Sequence, residues 1–363
     1  MPPNDARLAL IQDWVSGGLG LHPQRIEPAS SDASFRRYFR VWEGPESRAK
    51  GAGAAAPART FIVMDAPPGK EDVRPYLKVS HLLEGIGVHV PHVHETDIER
   101  GLLLLEDLGS TQYLARLDAG DDPDALYGDA LSALADIQLK GREVAAELPP
   151  YDRAALLREL ALMPEWFLAR HLELSLSASD QAVITAAFEF LITEALLQPN
   201  VFVHRDYHSR NLMVMGARNP GVIDFQDAVR GPIGYDLVSL LKDCYIAWPR
   251  ERVERWVSGY RALLVSRGGV AAGCVGKDER EFLRWFDLIG VQRHIKVLGI
   301  FARLWYRDGK MGYLRDLPLT LEYVRDTCTR YPELADLSRF VEQHLVPGLP
   351  RANARVAAQS KPA

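Results

Sequence analysis

The spacing of apolar and polar positions divides this chain into a strand-patterned beginning and a helix-patterned remainder. Leu8, Ile11 and Val15 recur on one helical face and predict a short helix over 7–16. Strand-like runs follow at 34–42 and 60–64, and the apolar block Leu102 to Leu105 predicts another strand over 101–107. Between the first two runs, residues 44–59 are rich in Gly, Ala and Pro and predict a flexible loop. Residues 71–84 have a helical pattern. From about 124 onward helices dominate, at 124–140, 153–174, 180–197, 234–247, 250–267, 278–306 and 319–345. The expected class is α+β, with a small sheet-rich part at 1–107 and a large helical part at 108–348. Small and polar residues at 349–363 predict a disordered tail.

One segment interrupts the helices. Two short apolar runs, 212–215 and 222–225, flank a turn at 216–221 that contains Asn219-Pro220-Gly221, and together they predict a hairpin. A hairpin returns Asp224 to the end where Asn211 stands. Just upstream the chain reads His204-Arg205-Asp206-Tyr207-His208-Ser209-Arg210-Asn211. Asp206 is suited to accept the proton of an attacking hydroxyl. Asn211 and Asp224 are hard oxygen ligands, suited to Mg²⁺ rather than to zinc. The order of base, Asn, hairpin and Asp is that of a kinase catalytic loop and its metal-binding aspartate.

Composition narrows the setting. The 363 residues carry a formal charge of −5, which gives no general pull toward nucleic acid or an anionic membrane. Cys244, Cys274 and Cys328 are far apart and lack metal-site spacing, as expected of reduced thiols in a cytoplasmic protein. No apolar run is long enough to span a bilayer, and the N-terminus lacks a signal-peptide pattern. Nothing in the sequence sets the oligomeric state.

Together with Ile223-Asp224-Phe225-Gln226-Asp227-Ala228 and Gly231-Pro232-Ile233-Gly234-Tyr235-Asp236-Leu237, the 204–211 stretch resembles the aminoglycoside phosphotransferase/choline kinase family. That family has a bilobal protein-kinase-like fold. Residues 223–248 and 292–301 resemble more narrowly the cell-wall-recycling anomeric kinases of N-acetylmuramate and N-acetylglucosamine. The resemblance implies ATP and Mg²⁺ as cofactors, Asp206 as base, Asn211 and Asp224 as Mg²⁺ ligands, and His204 and Asp236 as supports of the loop. It implies phosphorylation of a sugar C1 hydroxyl in peptidoglycan recycling. The alternatives are a kinase of another small alcohol, such as an aminoglycoside, choline or homoserine, and a nucleotide-binding pseudokinase scaffold.

The same resemblance places the nucleotide. Residues 30–36 would cover the phosphates, with Ser31, Ser34, Phe35 and Arg36 as contacts, and Arg40 further along the strand. Glu106, Asp107 and Leu108 would form the hinge that meets adenine. The family's strand lysine and helix glutamate are missing: residues 61–65 hold no cation, and Tyr76 stands where the glutamate belongs. Arg36, Arg37 or Arg40 would supply the charge.

For the acceptor, residues 288–307 contain no acid but hold Arg293, Lys296, Arg303 and Arg307 within an arc of about 80° on a helix. His294, on a neighbouring apolar stripe, reads either as a satisfied core or rim histidine or as a further substrate contact. The basic arc reads either as a solvated cationic face or as a site for an anionic acceptor, such as the lactyl carboxylate of N-acetylmuramate.

Overall fold

The computed structural model describes residues 5–31, 35–44 and 59–359. Its elements, in chain order, begin with α1 (Ala6–Asp13), β1 (Pro23–Ser31), β2 (Arg37–Glu43), β3 (Thr60–Asp65), α2 (Arg74–Gly85), β4 (Val93–Asp97) and β5 (Leu102–Glu106). Then come α3 (Tyr113–Asp118), α4 (Pro123–Lys140), α5 (Arg153–Leu160), a wide-turn helix at Met163–His171, and α6 (Ala178–Leu196). Four short strands follow: β6 (Asn200–Val203), β7 (Leu212–Met213), β8 (Gly221–Val222) and β9 (Val229–Pro232). The chain ends in α7 (Gly234–Leu241), α8 (Arg250–Ser266), α9 (Glu279–Tyr306), α10 (Leu317–Cys328), α11 (Ala335–Phe340) and α12 (Val346–Gln359). None of the described helices is long and apolar enough to cross a membrane.

The chain forms two compact units. The first comprises Met1–Arg116 and Asn211–Asp227. Its centre is a five-stranded antiparallel sheet in the order β1-β2-β3-β5-β4. Phe39, Val41, Phe61, Val63, Leu102 and Leu104 pack with Ile11, Trp14 and Val15 in one core. Leu102 to Leu105 are all buried, so β5 is covered on both faces. That is why its sequence is a continuous apolar run rather than an alternating one. The buried Asp65 carboxylate accepts Arg7 Nε at 2.8 Å and Arg37 at 2.7 and 3.0 Å, tying the N-terminal helix to the sheet.

Strand β1 escaped the sequence reading. It carries Pro23 and Pro28 and pairs on one side only, with a register shift between Pro28 and Ser30. Proline suits an edge strand because its missing N–H removes no ladder bond. β4 likewise occupies a segment around His92 and His94 that reads as loop. Most of the glycine-rich segment, residues 45–58, lies outside the described residues.

The second unit comprises Leu117–Arg210 and Ala228–Ala363. It is built around α9, in which every residue from Phe286 to Gly299 is buried. At Gly299 the helix meets another backbone: a Cβ there would lie 2.4 Å from the Leu162 carbonyl carbon and 2.6 Å from Met163 N. The expected tail is corrected. The chain is helical as far as Gln359, with Leu349, Ala352 and Val356 buried. Their spacing at i, i+3 and i+7 forms one apolar face, which outweighs the polar composition of the segment. The long helix expected at 319–345 is broken into α10, a short turn, α11 and a wide turn.

The close approach at Gly299 yields a stability test. Gly299→Ala should destabilise the protein by about 1–3 kcal/mol, the usual cost of overpacking a core. A shift of the urea unfolding midpoint measures it; an unchanged midpoint would mean that the helix and the Leu162–Met163 backbone separate without cost.

Candidate active site

In the second unit, the loop from His204 to Arg210 is clamped at both ends by carboxylates that α7 positions. Asp236, in the first turn of α7, accepts the His204 N–H at 2.7 Å and the Arg205 N–H at 2.9 Å. Asp243, just beyond the same helix, accepts the Ser209 N–H at 3.1 Å and also its hydroxyl. Arg205 is held at φ +77°, a left-handed conformation that costs a non-glycine residue roughly 1–2 kcal/mol. His204 is fully buried, edge-on to Tyr207, and its Nδ1 lies 3.3 Å from the Asp206 N–H. The side chains of His204 and Asp236 thus both bond the loop backbone.

Asp206 lies between the two stretches of this loop that are clamped, His204-Arg205 and Ser209. Burial alone would raise its pKa. The positive charges of Lys296, of His208 when protonated, and of Arg205 and Arg293 outweigh that effect and hold the carboxyl below the ordinary aspartate value. An ionised carboxylate is the form that accepts a proton. Asp236 goes the other way. Burial, together with the neighbouring Asp206 charge, pushes it up to about 7, although two backbone N–H donors oppose the shift.

The basic arc on α9 is not a solvated face. Arg293 and Lys296 are only 4% and 6% exposed, and His294 is fully enclosed. Arg293 donates to Ser239 Oγ at 2.8 Å. Lys296 Nζ lies 2.8 Å from Tyr235 Oη and 3.2 Å from the Glu159 carboxylate. His294 stacks on Tyr323 with centroids 4.7 Å apart, and its Nε2 meets the Lys242 carbonyl at 3.0 Å. Burial and the Arg293 charge push its pKa well down. The expected substrate role of His294 is thus corrected: a ring sandwiched in the core cannot reach an acceptor. Arg307 is exposed and pairs with Asp308 at 2.7 Å. Arg303 is half-buried, its Nε is shielded from solvent, and it has no ion-pair or hydrogen-bond partner among the described residues.

In the first unit, the hairpin forms as β7 and β8, shorter than expected. It joins the sheet unit through backbone bonds: Val214 N–H to Thr111 O at 2.8 Å and Val222 N–H to His89 O at 2.8 Å. Ile223 N–H donates to Asn211 O at 3.0 Å, so the strands return as predicted. The Asn211 amide lies 3.2 Å from the Asp224 carboxylate. Asp224 has φ +64°, another left-handed non-glycine residue. Gln226 Nε2 donates to Asp224 at 2.9 Å, while its buried Oε1 has no partner among the described residues. An orphaned oxygen beside a carboxylate and an amide makes an all-oxygen donor set, which fits a hard divalent cation.

The predicted nucleotide contacts divide. Ser31 ends β1 opposite Arg37, and Ser34 lies outside the described residues. Phe35 is 61% exposed and donates its N–H to Glu71 at 3.2 Å. Arg40 is corrected as a phosphate contact: its guanidinium grips Asp107 at 2.7 and 2.9 Å and the Gly109 carbonyl at 2.7 Å. Asp107 belongs to the expected hinge, so Arg40 braces that turn. Arg37 is likewise taken, by Asp65 and Asp5. Arg36 lies where its charge acts on Tyr76, whose ring packs on Phe225 at 4.7 Å beside Asp224. Glu106 accepts the His92 N–H, and Leu108 is buried close to Gly221. Glu159 and Asp243 were not legible as site residues, because each meets the loop only through the tertiary fold.

These arrangements have counterparts among known proteins. The phosphotransferase enzyme family model matches residues 25–272. The N-acetylmuramate/N-acetylglucosamine kinase of Pseudomonas putida is 44% identical over 354 residues, covering 94% of this chain and 98% of the relative. The protein of the same name from Neisseria meningitidis is 43% identical and covers 90% and 92%. Solved structures share the protein-kinase-like fold at low identity. ADP-bound aminoglycoside phosphotransferase APH(2'')-Ib matches with a TM-score of 0.56 and 13% identity, covering 88% of this chain and 98% of its own. The choline kinase LicA from Streptococcus pneumoniae matches with 0.58 and 12%, covering 89% and 100%. With the family model spanning most of its length and relatives this similar nearly end to end, the chain belongs to the phosphotransferase enzyme family.

Proposed function

We propose that this protein is an ATP-dependent kinase that phosphorylates the anomeric hydroxyl of N-acetylmuramate and N-acetylglucosamine. One observation carries the reading: an ionised Asp206 on a loop clamped at both ends, in a chain 44% identical to kinases named for these two sugars. Asp206 accepts the proton of the C1 hydroxyl as that oxygen attacks the γ-phosphorus of ATP. Sugar 1-phosphate and ADP result. Asn211 and Asp224 would hold Mg²⁺, with the Gln226 oxygen beside them. When bound, the ion offsets negative charge on the β- and γ-phosphates. Arg36 takes the place of the missing strand lysine. Its position near Tyr76 supports this.

The acceptor pair differs by one charged group, the lactyl carboxylate of N-acetylmuramate. On the basic arc, Lys296 is neutralised by Glu159 and Arg307 by Asp308, while Arg293 is buried against Ser239. Arg303 remains, two turns beyond Lys296 and roughly 10 Å along the axis. Burial and the adjacent Arg307 charge lower its pKa, and an anion nearby would relieve both effects. Arg303 is therefore the residue we assign to the carboxylate. A cationic aminoglycoside or choline would instead favour acidic neighbours.

Four outcomes test this reading. Asp206→Asn should keep the fold and lower kcat by about 10²–10⁴, the range for a positioned base, and Asp224→Ala should abolish Mg²⁺-dependent turnover. Near wild-type rates in either variant would remove the assigned role. Free N-acetylglucosamine should turn over while its methyl glycoside, which has no C1 hydroxyl, should not; phosphorus NMR of the products reads the position, and transfer to the glycoside would rule out anomeric chemistry. Arg303→Gln should reduce kcat/KM for N-acetylmuramate roughly 10- to 100-fold, the worth of a charge-assisted hydrogen bond, and leave N-acetylglucosamine nearly unchanged. Equal losses for both sugars would place the carboxylate elsewhere.

A further inference from the structure

Helix α5 sends one carboxylate, Glu159, into the buried space beside the catalytic loop. Three groups converge on it. Arg205 donates through its guanidinium, Tyr151 through its hydroxyl, and Lys296 Nζ lies 3.2 Å away. Burial would raise the pKa of Glu159, but Lys296 and Arg205 outweigh that and keep the carboxyl ionised. Arg205 is also the residue that holds the left-handed backbone immediately before Asp206. Its main-chain N–H is fixed by Asp236, while its side chain is fixed by Glu159.

A left-handed arginine persists only where its surroundings over-determine it. The Asp236 clamp acts on the peptide groups of His204 and Arg205. It does not hold the arginine side chain. The carboxylate of Glu159 does, by a charge-assisted bond to a guanidinium that is itself mostly shielded from solvent.

We propose that Glu159 is a positioning residue for phosphoryl transfer, acting through Arg205 to hold the backbone turn that presents Asp206. It touches no substrate in this scheme. Its loss lets Arg205 relax, and Asp206 swings away from the acceptor hydroxyl. Misplacing a reacting group by about 1 Å is enough to cost on the order of 10²-fold in rate.

The test is a double-variant cycle read in kcat. Glu159→Gln keeps the shape of the side chain and removes its charge. It should lower kcat about 10- to 100-fold, the worth of a charge-assisted bond, with the KM for ATP unchanged. Arg205→Gln should also lower kcat, and the double variant Glu159→Gln/Arg205→Gln should be no slower than the slower single one, because the two side chains act as one unit. A carboxylate acting independently of Arg205 would give losses that multiply. Wild-type kcat in Glu159→Gln overturns the proposal, and so does a double variant whose loss is the product of the two single losses. If Glu159→Gln does not fold, Glu159→Asp carries the same test: its shorter reach should lower kcat, and adding Arg205→Gln should cost no more than Arg205→Gln alone. The inference rests on Asp206 as the base. A fully active Asp206→Asn would overturn that assignment and Glu159 with it, whereas an inactive Asp206→Asn beside a fully active Glu159→Gln would overturn Glu159 alone.

Discussion

The carboxylate of Asp236 is the point on which the loop from His204 to Arg210 depends. It is fully buried, and it accepts two consecutive backbone N–H groups across a turn that contains a left-handed arginine. Neither half of that arrangement stands alone. A buried carboxylate without donors loses its hydration uncompensated, and the turn without an acceptor leaves two backbone donors unsatisfied. Because α7 carries Asp236 in its first turn and Asp243 follows its end, one helix sets both ends of the loop. The geometry around Asp206 is therefore inherited from a rigid element rather than from the loop itself.

Charge is buried in this protein mostly in compensated groups. Asp287 is held between Arg250 and Lys242, Glu159 between Arg205 and Lys296, and Asp65 between Arg7 and Arg37. A buried ion pair returns its desolvation cost only with good geometry and further hydrogen bonds. Each of these carboxylates meets two cations, and Tyr331 and Tyr151 add hydroxyl donors to Asp287 and Glu159. Arg303 Nε and Gln226 Oε1 are shielded and lack a hydrogen-bond partner among the described residues, as do buried atoms of Ser80, His208, Gln292 and His294.

The sheet unit handles its cations by the two-residue period of a strand. Arg36, Tyr38 and Arg40 share one face of the β2 region, and Arg37, Phe39 and Val41 the other. Phe39 and Val41 enter the core, and Arg37 is tolerated on that face because Asp65 and Asp5 receive it. On the opposite face, Arg40 is drawn to the Asp107 turn.

Much of this was written locally. Helical and strand periods foretold α4, α6, α8, α9, β3 and β5 to within a few residues, because each buries a face or a whole run of apolar side chains. The Pro/Gly turn foretold the hairpin that returns Asp224 to Asn211, since turn chemistry acts over a handful of residues. The tertiary structure decided the rest. Whether a basic arc on α9 meets water or carboxylates depends on what packs over it, and Glu159 lies 137 positions before Lys296 (296 − 159). Edge strand β1 and helix α12 likewise exist because neighbours supply a ladder and a groove, which no local pattern records. Periodicity reports which face of an element is buried. Only the packed fold determines which distant charge waits on the other side.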